Sequence, residues 1–141
     1  MAQRAGGRAG GFSLVELMMA LAIVGILAVV TYPAFMAQLH KSRRLDAIAA
    51  LAQVQQAQER WRANNTTYAG SLAALGLSPP GSGRYRVAIS DSAAHGYTAT
   101  ASAAESQASD TLCSSLSVTL SGGNTTYSST GSAAAGTCWN R

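Results

Sequence analysis

Phe12-Ser13-Leu14-Val15-Glu16-Leu17-Met18-Met19-Ala20-Leu21-Ala22-Ile23-Val24-Gly25-Ile26-Leu27-Ala28-Val29-Val30 is the stretch that decides how this chain is built. From Leu17 to Val30 there is no polar side chain. With its flanks, Phe12 to about Met36, the stretch is long enough as a helix to cross a hydrocarbon layer, which takes about 20 residues. A secretory signal has an apolar segment of about 7–15 residues followed by a small-residue cleavage site. This segment is longer, and it runs into Thr31-Tyr32-Pro33. At its head stands one acid, Glu16. An ionisable group at membrane depth costs about 2.5–3.5 kcal/mol on insertion scales and normally has a partner. No Lys or Arg lies between Phe12 and His40. Glu16 therefore has no positive side chain within the stretch, and otherwise has to be protonated or reach the headgroups.

Outward from the apolar run, residues 1–11 are polar, basic and glycine-rich, with Arg4 and Arg8. On the other side come Lys41, Arg43 and Arg44, so counting positive charges on the two flanks does not orient the helix. The formal charge is +4. Two of those positives precede Gly11, which leaves the remainder mildly basic and charge alone a poor guide to partners.

Gly11-Phe12-Ser13-Leu14-Val15-Glu16-Leu17-Met18, then an apolar helix containing Gly25, then Tyr32-Pro33, resembles the class III signal of type IV pilins. The resemblance implies a prepilin. A prepilin peptidase cuts between Gly11 and Phe12 on the cytoplasmic side, removes 1–11 as a leader, and methylates the new amine of Phe12. It also implies that Glu16 attracts the Phe12 amine of a neighbouring subunit and so sets the axial register in the filament. The N-terminus is then inside and the C-terminal domain periplasmic, anchored in the bacterial inner membrane before assembly and displayed on a cell-surface pilus, or fimbrium, afterwards. Implied partners are other pilin subunits, the prepilin peptidase and the inner-membrane pilus assembly machinery.

The helical pattern continues past the apolar run. Ala47, Leu51, Val54, Gln58 and Trp61 share one mostly apolar face, and Asn64-Asn65-Thr66 ends the helix. A helix from Phe12 to about Asn64 is roughly 80 Å long at 1.5 Å per residue. Pro33 removes a backbone donor and is expected to bend or locally melt it, and Gly25 weakens the same stretch. Residues 67–77 read as a loop with one helical turn stopped by Gly76, and Pro79-Pro80-Gly81 is a break. Strands follow by period-two alternation over 84–90, 96–101 and about 112–120, the last with Leu116, Val118 and Leu120 inward; a short fourth covers 125–128 after a turn at Gly122-Gly123-Asn124. The expected fold class is α+β, and the resemblance implies the type IV pilin fold: a long N-terminal helix packed on a small antiparallel sheet with a disulfide-bounded C-terminal loop. The expected organisation is leader 1–11, membrane and filament-core helix 12–36, amphipathic half 37–64, and globular head 65–141.

The cysteines are Cys113 and Cys138. With no CxxC spacing and only His40 and His95 as further ligands, neither a metal site nor a cofactor is expected. Outside the cytoplasm such a pair reads as a disulfide. It closes a loop of about 25 residues, a constraint of roughly 3 kcal/mol by chain entropy. The glycine-, serine- and alanine-rich segment 122–136 needs such a staple, and in pilins the loop faces outward. The ending Cys138-Trp139-Asn140-Arg141, with Leu112-Cys113 ahead of a strand, resembles PilE-like minor pilins.

No nucleophile–base set, carboxylate pair or phosphate loop is present, so the sequence offers no catalytic residues. The expectation is a structural minor pilin serving pilus biogenesis, twitching motility or adhesion. One alternative is a pilin-like receptor for DNA uptake in natural transformation, with Arg84, Arg86 and Arg141 as candidate phosphate contacts. Against it, two arginines alternating with Tyr85 are also what keeps an edge strand soluble. The other alternative is a type II secretion pseudopilin, against which the Cys113–Cys138 loop counts.

Overall fold

The computed structural model describes residues 11–140. They fall into two compact units, one ending at Ala37 and one beginning at Gln38. Among the described residues, helix α1, Leu14–Arg62, supplies the regular structure of the first unit and the opening element of the second.

In the first unit the large apolar side chains from Phe12 to Phe35 are exposed all round the helix. A helix satisfies its own backbone, so such a surface is stable where the surroundings are apolar. The amide of Leu17 donates to the carbonyl of Ser13 at 3.2 Å. Glu16 occupies the first turn, where a negative charge suits the helix dipole. The helix is continuous through Gly25 and Pro33. One missing N–H removes one bond of the ladder. Upstream, the Thr31 hydroxyl donates to the carbonyl of Leu27 at 2.9 Å.

In the second unit α1 buries Ala47, Leu51, Val54, Ala57 and Gln58, the expected face, together with Arg44 one turn earlier. Trp61, expected on the same face, is only half-buried, and the helix ends at Arg62. Gln58 belongs in this core because its amide acts like a peptide group. It donates to the carbonyl of Ala69 at 2.8 Å and accepts from the Ala69 amide at 2.9 Å. Beyond Ala69 the helical turn over 72–76 closes with the amide of Leu77 on the carbonyl of Leu72 and that of Gly76 on Ala73. Gly76 has φ +68°, the left-handed conformation this helix-ending motif needs.

The sheet is an antiparallel meander in the order β1 (Tyr85–Ser90), β2 (Gly96–Ala103), β3 (Ser115–Ser121) and β4 (Asn124–Thr130). Its register places Val87 opposite Ala101 and Ala99 opposite Val118. Tyr85, Val87, Tyr97, Ala99, Ala101, Leu116 and Val118 thereby join the α1 face in one core. The opposite face carries hydroxyls, with Thr98 bonded to Thr119 at 3.2 Å and Thr100 to Ser117 at 3.0 Å.

Strands β3 and β4 differ most from expectation. Strand β3 starts at Ser115 rather than Leu112, because residues 111–114 turn so that Cys113 points into the core. Strand β4 has seven residues, not four. Its polar Asn-Thr-Thr-Tyr-Ser-Ser-Thr sequence lacks apolar alternation, but threonine and tyrosine are good strand formers. Gly122 and Gly123, with φ +55° and +85°, make the tight turn that sets its register. A 3-10 turn, Glu105–Gln107, and a one-turn helix, α2 (Ala135–Cys138), complete the fold.

Candidate functional site

The processing and assembly candidates lie on the first unit. Gly11 and Glu16 are exposed, and Phe12 is 79% exposed. At Gly25 an added Cβ would meet nothing within 4 Å, so this stretch of helix surface is open. The leader up to Gly10, with Arg4 and Arg8, lies outside the described residues, as does Arg141.

The second unit contains a buried polar cluster that the sequence did not announce. Arg44 donates from Nε and Nη2 to the two carboxylate oxygens of Asp110, both at 2.7 Å. Both residues are almost fully buried. Gln107 donates to Asp110 at 3.0 Å and to the carbonyl of His40 at 3.3 Å, and the Cys113 amide donates to Asp110 at 3.4 Å. The Nδ1 of His40 lies 3.2 Å from Gln107 Oε1. Burial pushes the Asp110 carboxyl up, but the Arg44 guanidinium and the Cys113 amide hold it below the usual carboxylate value. The hydrogen bond to Asp110 raises Arg44 against its own desolvation. Tyr85 borders the cluster; burial first, then the Asp110 charge, push it up to about 12. Its hydroxyl feels the Gln107 side chain without reaching hydrogen-bonding geometry. The cluster fastens the segment before Cys113 onto α1, a structural task.

The two arginines singled out on β1 do different things. Arg84 precedes the strand and pairs with Asp46 of α1 at 2.9 Å, a half-exposed contact. Arg86 is exposed in β1, in register with Ser102 on the hydroxyl face. A second basic group stands at the end of α1, where Arg60 is exposed and Arg62 is tied down. Arg62 donates to the carbonyls of Asn65 and Ala94 and lies 5.6 Å from the centre of the Tyr68 ring. Between them Trp61 donates its indole N–H to the carbonyl of Thr67 at 3.1 Å. Basic residues interleaved with an aromatic one suit a nucleic acid. The sequence pattern concealed this grouping because it placed Trp61 in the core.

Cys113 and Cys138 form a disulfide with Cα atoms 5.7 Å apart. Next to it Trp139 meets Tyr127 edge-on, with ring centres 4.9 Å apart, and donates to the carbonyl of Ser128 at 2.8 Å. The bracketed segment is therefore a β-hairpin packed by its own C-terminal helix. Among the described residues no group of His, Cys, Asp and Glu is arranged to hold a metal ion.

Two family models match the chain. The prokaryotic N-terminal methylation motif covers residues 7–32, and the family described as type IV minor pilin ComP, DNA uptake sequence receptor, covers residues 33–117, more than half of the sequence. The chain belongs to the type IV minor pilins. No curated protein matches it. The pilin's long apolar helix, four-stranded antiparallel sheet and C-terminal disulfide are the fold of that family. Its first helix contains a window of mean hydropathy 2.5, long enough to cross a membrane, and with the methylation motif this supports membrane anchoring. Pilin families are structural rather than enzymatic.

Proposed function

We propose that this minor pilin is a DNA receptor carried in a type IV pilus. The observation that carries the reading is the match of residues 33–117 to the family of DNA uptake sequence receptors. It reverses the order of preference that the sequence alone suggests, in which a purely structural subunit stands first. Support from geometry comes from Arg60, Trp61 and Arg62 at the end of α1 and from the exposed Arg86, which offer phosphate contacts and an aromatic surface. Arg84 contributes less, because Asp46 already partly neutralises it. Twitching and adhesion are not needed to account for these features, and a DNA-receptor family argues for a pilus rather than a secretion pseudopilus.

The maturation reading goes with it. Residues 1–11 are a leader, cleavage after Gly11 frees Phe12 for N-methylation, and Glu16 pairs with the Phe12 amine of the next subunit. Residues 12–36 form the filament core, 37–64 carry the globular head, and the head is periplasmic before it is displayed on the surface. The test combines two measurements on the protein recovered from membranes. Its N-terminal residue and mass should be those of N-methyl-Phe12, and the full chain in detergent should retain labelled double-stranded DNA in a gel, with retention weakening as salt rises. Glu16→Val should be processed normally yet absent from sheared filaments. An uncut chain would refute the maturation reading, and a chain that retains no DNA at low salt would refute the receptor reading.

A further inference from the structure

Beside the end of α1 lies a cleft of about 250 Å³ lined by Ala57, Arg60, Trp61, Asn64, Asn65 and the turn at Ala74–Leu75. Trp61 contributes an aromatic ring to the lining, Ala74 and Leu75 contribute apolar groups, Asn64 and Asn65 two carboxamides, and Arg60 a guanidinium. Several of these parts are held in place. The Trp61 indole is tied to Thr67, the Asn65 amide donates to the carbonyl of Trp61 at 2.8 Å, and the opposing turn is closed by Gly76. Among the described residues, no hydrogen bond occupies the side chains of Arg60 or Asn64, which are both exposed. Glu59, the neighbouring acid, does not line the cleft.

The volume is below the range of about 300–1,000 Å³ typical of drug-sized ligands. It suits one planar heterocycle rather than a nucleoside. Aromatic and apolar walls suit the faces of a base, carboxamides suit its hydrogen-bonding edge, and Arg60 is placed to meet a phosphate next to it. We infer that this cleft takes a single unstacked nucleobase of bound DNA, slotted between Trp61 and the Ala74–Leu75 turn, with Arg60 on the adjoining phosphate. The inference rests on the DNA-receptor reading and adds to it how the DNA is gripped. A base displaced from a duplex costs a few kcal/mol of stacking and pairing, least where it is already unpaired. A duplex with one extrahelical base should therefore bind more tightly than its fully paired counterpart.

The chain contains two tryptophans, and Trp139 is buried beside Tyr127. In a Trp139→Phe background Trp61 is the sole indole reporter. The experiment titrates the full chain in detergent with synthetic duplexes of mixed sequence, fully paired or carrying one extrahelical base, while reading Trp61 fluorescence and gel retention. Quenching of Trp61 on DNA addition is expected, as is roughly tenfold weaker binding by Trp61→Ala, in line with the loss of one base–aromatic stack. Trp61→Phe keeps a ring and should retain most of the affinity, which separates stacking from a folding defect. Arg60→Gln should weaken all duplexes alike and lower the salt slope by about one. Gel retention of DNA with unchanged Trp61 fluorescence, equal affinity for the two duplexes, or unchanged binding by Trp61→Ala would each overturn the cleft while leaving the receptor reading intact. No retention by the wild type would overturn both.

Discussion

Replacing Asp110 with alanine tests the energetic centre of the head. The carboxylate accepts two bonds from Arg44 at 2.7 Å and one from Gln107 at 3.0 Å. Its partner Arg44 is 5% exposed. Removing the acid strands a guanidinium, a group that cannot lose its charge, in the core. Breaking one side of such a buried pair costs about 3–5 kcal/mol, a large share of a typical domain stability of about 5–15 kcal/mol. For a unit of about 100 residues each kcal/mol shifts the melting temperature by roughly 4–8 °C, so the variant should melt at least about 12 °C lower, measured by circular dichroism of the full chain in detergent. Arg44→Met combined with Asp110→Leu should be markedly less damaging than Asp110→Ala alone, because neither charge is left behind. Acid should act on the same pair. Asp110 titrates below its unfolded value when folded, so its contribution is complete above about pH 3.9 and disappears as the pH falls through the lower folded value. A melting temperature within about 4 °C of wild type for Asp110→Ala would refute the argument, since it would mean that Arg44 finds water or another acceptor.

The other outcomes are simpler to read. Cys113→Ser should lower stability by roughly 3 kcal/mol through the freed loop, and the same fall should appear on adding a reductant to the wild type but not to the variant. Tyr85 and Tyr97 are both pushed up to about 12 by burial. Their folded values exceed the unfolded one, so their contribution to stability is intact below about pH 10 and is lost as the pH rises through the folded values. Ultraviolet titration should show phenolate absorbance from these two appearing together with unfolding. Ionisation near pH 10 without loss of structure would contradict their burial.

How much of this could be read from the residues depended on how each segment declares itself. The apolar run is legible because an unbroken stretch of this length declares itself by hydropathy alone. Strands β1 and β2 are legible because Tyr85, Val87, Tyr97 and Ala99 alternate with polar neighbours. Strand β4 was underestimated because both of its faces carry hydroxyls and only pairing with β3 makes it a strand. Arg44 and Asp110 were invisible as a pair, since they are 66 residues apart and each looks like an ordinary surface charge. Trp61 was placed in the core by its spacing, yet the helix ends beside it and the side chain stays half-buried at the edge of a cleft.

The Cys113–Cys138 disulfide brackets the β3–β4 hairpin. The tip at Gly122-Gly123 is exposed, the sort of site where proteases nick a folded domain. A cut there divides the polypeptide into one piece ending in β3 and another beginning with β4. Cys113 stays with the first piece and Cys138 with the second, and the ladder from Ser115↔Thr130 to Ser121↔Asn124 still joins them. A nicked subunit therefore keeps β4 and α2 covalently tied to the rest of the head for as long as the sulfur bridge remains oxidised.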